Sequence, residues 1–257
     1  MRDRYLINSV LRAGRILKCL SAHPGRLKTG ELARVLRLDR STTYRLVLSL
    51  EKCGLVEKKE KTGEYSLGPG AFEIGSAYLR SVDLVQAAKP IMADLALKVQ
   101  ETIHLAVLSE TEIFYLDKVD SPRSVGVISK IGQRGPVHCT ALGKVLLSHL
   151  PEEERLKIIE RIKFQPFTPR TITSPKRFMK ELKEVHERGY ALDHREIEED
   201  VECVAAPIRD HTGRVIAGLS VSGPQKKIQT PLEKRVVTEV RKAASMISTR
   251  MGYMENT

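Results

Sequence analysis

Nowhere in the 257-residue chain does an apolar run approach the roughly 18–20 residues that span a bilayer, so no transmembrane helix and no membrane partner are expected. The opening residues Met1-Arg2-Asp3-Arg4-Tyr5 lack an uninterrupted apolar core and a small-residue cleavage site. A signal peptide is therefore not expected, and a cytoplasmic location is. Cysteine is sparse: Cys19, Cys53, Cys139 and Cys203 are widely separated and form no CxxC pair. That spacing argues against a zinc ribbon or a thioredoxin-like motif, and in the cytoplasm these thiols are expected to be reduced. Cys19 and Cys53 fall in apolar-patterned helices, where core packing is the expectation. Nor do 41% hydrophobic and 29% charged residues carry the bias of a disordered, collagen-like or coiled-coil chain. What remains is a globular protein long enough to bury about 70–75% of its unfolded surface, as one large domain or two smaller ones.

Acidic residues are in deficit, and the deficit is local. Residues 1–68 hold 15 Lys/Arg against 7 Asp/Glu, a net +8, whereas residues 69–257 hold 28 against 25, a net +3. A basic module joined to a nearly neutral remainder suits a polyanion partner, although a solvated basic face explains the charge equally well.

Pattern decides between the two. Val10, Ala13, Ile16, Leu17 and Leu20 recur at helical spacing, with Asn8 or Ser9 as the expected cap. Thr29 is the expected cap of a short helix that faces Leu32, Ala33 and Leu36 inward. A third helix follows Asp39, with Thr43, Leu46, Val47 and Leu50 on its apolar side, and Gly54 fits the left-handed position after its end. Helix, short turn, helix sets a second helix into the major groove. No acid interrupts Arg40–Leu50. Arg40, Ser41, Thr42, Thr43, Tyr44, Arg45 and Ser49 are the candidate DNA contacts, and the early amides of that helix favour a phosphate. Leu55–Glu60 and Glu64–Leu67 read as a hairpin around Lys61-Thr62-Gly63, a wing carrying Lys58, Lys59 and Lys61. The module reads as a winged helix.

Beyond Leu67-Gly68-Pro69-Gly70, residues 71–80 read as a connecting helix. Asp83 is the expected cap of a longer helix through Val99, with Pro90 as an irregularity. Strands are expected at 102–108, 113–119, 125–128, 191–193, 203–208 and 215–221, with helices at 141–149, 152–161, 176–188 and 232–251. A mixed sheet with interspersed helices makes the overall class α+β. Thr140 to Lys144 opens a helix, whose free amides attract a carboxylate or phosphate. Asp193, Cys203, Ser220 and Ser222 complete the polar set, the two serines on one face of their strand by alternation.

Several motifs in order are informative together: Gly30-Glu31-Leu32-Ala33 with Ser41-Thr42-Thr43-Tyr44-Arg45-Leu46, Pro136-Val137-His138 with Thr140-Ala141-Leu142-Gly143-Lys144, Arg188-Gly189-Tyr190, Glu202-Cys203-Val204-Ala205-Ala206-Pro207-Ile208, and Leu219-Ser220-Val221-Ser222-Gly223-Pro224. Over essentially its full length the chain resembles the IclR family of bacterial transcription regulators. The resemblance implies a winged helix-turn-helix domain at 1–68, a linker helix at 69–82 and a GAF-like effector-binding and oligomerisation domain at 83–257. It implies palindromic double-stranded operator DNA, a homodimer or dimer of dimers, and a small-molecule acid effector. Contacts to that effector fall at Ala141, Leu142, Asp193, Cys203, Ser220 and Ser222, with Val127 lining the pocket. Leu142 is larger than the small residue the family usually has there. Glu101-Thr102-Ile103-His104-Leu105, Arg170-Thr171-Ile172-Thr173-Ser174, Ala217-Gly218-Leu219-Ser220 and Met251-Gly252-Tyr253 look most like the regulators of 2-keto-3-deoxygluconate catabolism within the family.

Three other readings bear on the same residues. A thiol-dependent enzyme would use Cys203 with His138, His194 and Asp193, and needs a His within about 3 Å of the sulfur. A metal site at His138, Cys139, His194 and Cys203 matches no compact ligand spacing. An architectural DNA binder would use the larger domain only to dimerise. Neither catalysis nor a cofactor is expected.

Overall fold

The structure, a computed structural model, describes residues 6–23, 27–81, 83–121, 129–224 and 232–254. The chain divides into two compact units, Met1–Ser81 and Val82–Thr257. The first contains α1 (Asn8–Ala22), α2 (Thr29–Leu36), α3 (Arg40–Lys52), β1 (Val56–Lys59), β2 (Glu64–Leu67) and α4 (Pro69–Ser81). Its core gathers Ile16, Cys19, Leu20, Leu32, Leu36, Val47, Leu50, Val56 and Tyr65 from three helices and the hairpin. Strands β1 and β2 are antiparallel, with Lys58 opposite Tyr65 and Lys59 opposite Glu64.

Local details differ from the sequence expectation. The residue capping α1 is Ile7, without a side-chain cap bond, rather than Asn8 or Ser9. Lys28 precedes α2 and its backbone N–H donates to Glu31 at 2.8 Å, so Thr29 already stands inside the helix. Cys53 is exposed just past the end of α3, three residues after Leu50, the last buried residue of the stripe, while Cys19 is buried as expected. Gly54 adopts φ +71°.

Among the described residues, the second unit is built on a six-stranded antiparallel sheet. In chain order its elements are α5 (Asp83–Val99), β3 (Thr102–Ser109), β4 (Glu112–Val119), β5 (Arg134–Pro136), α6 (Ala141–Ser148), α7 (Glu152–Ile159), α8 (Pro175–Arg188), β6 (Ala191–His194), β7 (Val201–Arg209), β8 (Val215–Pro224) and α9 (Leu232–Arg250). The strand order is β5-β4-β3-β8-β7-β6. The short edge strand β5 is not legible as a strand, because Arg-Gly-Pro has no β-forming pattern. The expected strand at 125–128 lies outside the described residues. Helix α5 continues through Pro90.

Alternation along the strands sorts the side chains between two layers. Ile103 and Leu105 of β3, Val204, Ala206 and Ile208 of β7, and Ala217, Leu219 and Val221 of β8 pack beneath α5 and α9. Their neighbours Ala106, Cys203 and Ala205 face the opposite side, toward α6, α7 and α8. On that second side, where β3, β6, β7 and β8 meet the start of α6, hydrophobic residues give way to polar ones.

Candidate functional site

Two sites emerge, one in each unit. In the first, Asp39 ends its turn in an extended conformation and accepts the Thr42 N–H at 2.7 Å and the Ser41 hydroxyl at 2.8 Å. These bonds pull its carboxyl down to about 2. A carboxylate of the chain itself therefore occupies the anion-favouring start of α3, the place the sequence suggested for a phosphate. Arg40, Ser41, Tyr44, Arg45 and Ser49 are exposed and Thr42 is half-buried, so they form one accessible face. Thr43 does not belong with them: it is fully buried, and its hydroxyl donates to the Asp39 carbonyl at 2.8 Å. Its apolar side of α3 turns it into the core. Lys58, Lys59 and Lys61 are exposed on the hairpin, whose turn is closed by Gly63 at φ +68°. Strand alternation sends Lys58 and Lys59 to opposite faces.

The second site is a cavity of about 180 Å³ above the sheet. Thr140 caps α6: its hydroxyl accepts the Gly143 N–H at 3.0 Å and donates to the Pro136 carbonyl at 2.7 Å. This cap leaves the N–H groups of Ala141 and Leu142 without an acceptor among the described residues. Gly143 is required by close approach, because a Cβ there would stand 2.3 Å from the Val137 backbone. The larger Leu142 is accommodated by Gly218 of β8 beneath it, whose missing Cβ would lie 2.9 Å from the Leu142 side chain.

Ala141, Leu142, Asp193, Cys203, Ser220 and Ser222 all line this cavity, while Val127 lies outside the described residues. Asp193 and Cys203 are direct cross-strand partners, as are Cys203 and Ser222. Burial lifts the Asp193 carboxyl to about 7, although it accepts the Glu196 N–H at 2.7 Å. Burial also pushes the Cys203 thiol well above its ordinary range, with the neighbouring Asp193 adding to the effect. Across the cavity, His104 Nε2 lies 2.6 Å from Ser129 Oγ, and its ring tilts against Tyr115 at 5.3 Å. Burial first, and Lys118 second, depress His104 to about 3, so the imidazole is neutral. The Tyr115 phenol is raised by burial and stays protonated. Asp193 is thus the group among these whose charge changes near neutral pH.

Sequence comparison matches residues 76–249 to the bacterial transcriptional regulator IclR C-terminal domain and residues 9–60 to the IclR helix-turn-helix domain. The chain belongs to the IclR family. It is a transcriptional regulator with a DNA-binding helix-turn-helix domain and an effector-binding C-terminal domain. It is 36% identical to the HTH-type transcriptional regulator KdgR of Escherichia coli over 96% of this chain and 94% of that protein. The IclR regulator of Alicyclobacillus acidocaldarius superposes with a TM-score of 0.86 at 27% identity, covering 96% and 100% of the two chains. An IclR homologue of Microbacterium hydrocarbonoxydans, solved in complex with 4-hydroxybenzoate, superposes with a TM-score of 0.83 at 29% identity over 95% and 98%.

Against this IclR background the other chemistries find little support. His138 Nε2 lies 3.0 Å from the Gln165 carbonyl, along a separate groove, and His194 is exposed; neither lines the cavity that holds Cys203. A buried thiol with a raised pKa is a poor nucleophile. Among the described residues no three His, Cys, Asp or Glu side chains are grouped to hold a metal ion, and no helix is long and apolar enough to cross a membrane. Sequence reasoning missed His104, Tyr115, Arg134, Ile197, Glu198 and Val201 as cavity-lining residues. For His104 a signal existed, since it interrupts an apolar strand at the alternation that places Ser220 opposite it.

Proposed function

We propose that the chain is a metabolite-responsive repressor that binds a palindromic operator as a homodimer or dimer of dimers, and that a small carboxylate effector changes its affinity for that operator. A sugar acid such as 2-keto-3-deoxygluconate is the effector we favour. In this reading residues 1–68 bind DNA, 69–82 form the linker, and 83–257 sense the effector and oligomerise, all in the cytoplasm.

The observation that carries the proposal is the cavity. It joins two unclaimed helix-start amides, which favour a carboxylate, to a thiol, hydroxyls and one buried carboxyl, which suit a hydroxylated tail. Similarity to KdgR supports the same class of ligand. On DNA, Arg45 would reach base edges, with Arg40, Ser41, Thr42, Tyr44 and Ser49 on phosphates or bases and Lys58, Lys59 and Lys61 along the backbone. Two copies of α3 would meet successive major-groove faces about 34 Å apart or a multiple of that. Effector binding shifts operator affinity only by as much as the effector prefers one arrangement of the assembly over the other.

A thermal-shift screen of sugar acids, keto acids and aromatic acids, followed by operator binding with each hit, tests the proposal. We expect at least one sugar acid to raise the melting temperature and to weaken operator binding. A panel in which no acid moves either quantity would instead support a purely architectural DNA binder.

A further inference from the structure

Behind the cavity lies a charged pair that the effector reading does not use. Lys144 and Glu196 are 1% and 4% exposed, and Asp193 beside them is 4% exposed. Lys144 stands on α6 within one turn of Ala141 and Leu142. Its ammonium donates to the Leu192 carbonyl at 2.9 Å and to the Glu196 carboxylate. Leu192 immediately precedes Asp193, and Glu196 follows it by three residues and donates its N–H to the Asp193 carboxylate. One amine therefore grips the chain on both sides of the cavity's carboxyl. The turn is fixed from outside as well: the Thr168 hydroxyl donates to the Arg195 carbonyl at 2.7 Å and the Thr171 hydroxyl to the Glu196 carbonyl at 2.6 Å. Arg195 holds the left-handed conformation, φ +66°. Burying two charges recovers little stability compared with apolar residues of the same size, so stability alone is a poor reason for this pair to stand here.

We propose that Lys144 and Glu196 are positioning residues of the effector site: the clamp fixes where the buried Asp193 stands relative to the start of α6, and the two charges tune how readily Asp193 takes up a proton when the effector arrives. The proposal rests on the cavity being the effector site and adds to it that binding of an anionic effector takes up a proton. The groups facing Asp193 are few. They are Glu196 and Glu198 from its own turn, Lys144 from α6 and Cys139 ahead of it, Cys203 from β7, Tyr115 from β4 and, lining the same cavity, His104 from β3 and Arg134 from β5, which pairs with Glu112. Both thiols and the phenol are raised by burial, and His104 is held neutral. Two opposed charges remain nearest the carboxyl, Glu196 pushing its titration up and Lys144 pulling it down, with Glu196 the stronger. A bound carboxylate adds a further like charge and favours the protonated acid.

The test uses the full chain with its aspartate carboxyls labelled with carbon-13, the Asp193 signal being assigned by its loss in Asp193→Asn. Asp193 is titrated by NMR without ligand in the wild type, in Glu196→Gln, and in the double variant Lys144→Met/Glu196→Gln. The glutamine keeps the backbone donor to Asp193 and an oxygen for Lys144 but removes the like charge. Its Asp193 midpoint is expected to fall by about half a pH unit or more. In the double variant, which leaves neither charge of the pair in place, the midpoint is also expected below that of the wild type, and this measurement stands in if the single variant does not fold. A midpoint unchanged in a cooperatively melting variant overturns the proposal. Calorimetry with 2-keto-3-deoxygluconate in buffers of different ionisation enthalpy then reads proton uptake. Should that acid fail to bind, the effector assignment is what suffers, because the titration stands without ligand.

Discussion

Asp39 and Asp193 show how differently one residue type behaves in the two units. Asp39, open to solvent and receiving two hydrogen bonds, is held at about 2. Its contribution to folding is present above the ordinary aspartate range and is lost as the pH falls toward 2. Asp193 runs the other way. Folding raises it from 3.8 to about 7, so between those values the folded chain binds a proton that the unfolded chain has released. The effector-free protein should therefore lose stability as the pH rises through that window. Asp193→Asn should abolish this slope, melt higher than the wild type at pH 8 and, as the neutral isostere of the protonated acid, bind a carboxylate effector without the pH dependence of the wild type, all readable by calorimetry. Affinity for a carboxylate effector should weaken as the pH rises through about 7, by at most about tenfold per pH unit. Arg45 carries the corresponding prediction for DNA. Arg45→Ala should cost about 1–3 kcal/mol of specific operator binding in a mobility-shift titration and leave the effector-induced melting shift intact. Unchanged operator affinity would remove α3 from the role of recognition helix.

Helix α6 concentrates the structural demands of the effector unit into four residues. Thr140 caps it, Ala141 and Leu142 offer their amides, and Gly143 lets its first turn lie against the Val137 backbone. Gly143→Ala places a methyl 2.3 Å from main-chain atoms that cannot swing away. We expect it to destabilise the protein by about 1–3 kcal/mol or more, measured by urea unfolding, and to weaken effector binding beyond that of a distant core variant of equal cost. Much of this was readable in advance. The helical period placed α1, α2, α3 and α8, the last to its end at Arg188, and strand alternation correctly put Ser220 and Ser222 on one face. Caps were less legible because Asn8, Ser9 and Thr29 are all competent caps, whereas α1 starts after Ile7 without a side-chain cap and α2 after Lys28, whose N–H is taken by Glu31. Strand β5 escaped notice because three residues carry no period, and with it went the strand that sits beside the cavity. The effector residues came from family resemblance, since spacing alone does not say that Asp193, Cys203 and Ser222 are cross-strand neighbours.

At the scale of the molecule, charge and chemistry are partitioned. The +8 of residues 1–68 sits with the exposed face of α3 and the hairpin lysines, whereas the larger part is nearly balanced and encloses its polar groups. Operator affinity should consequently fall linearly with salt on a double-logarithmic plot. Lys61→Ala should reduce that slope by about one without changing preference among operator variants, as expected of a phosphate contact. A slope equal to that of the wild type would take the wing off the DNA. The two-sided sheet has a parallel effect inside the second unit: β8 shows Ser220 and Ser222 to the cavity while its alternate residues Leu219 and Val221 lie beneath α5 and α9. Finally, the enclosure of Lys144 makes the unit report on its own opening. Surface lysines acylate readily, but this amine meets a reagent only in molecules whose α6 has parted from β6. The rate at which that single peptide gains an acyl group, followed by mass spectrometry, is a clock for opening, and a ligand that binds the closed form slows it.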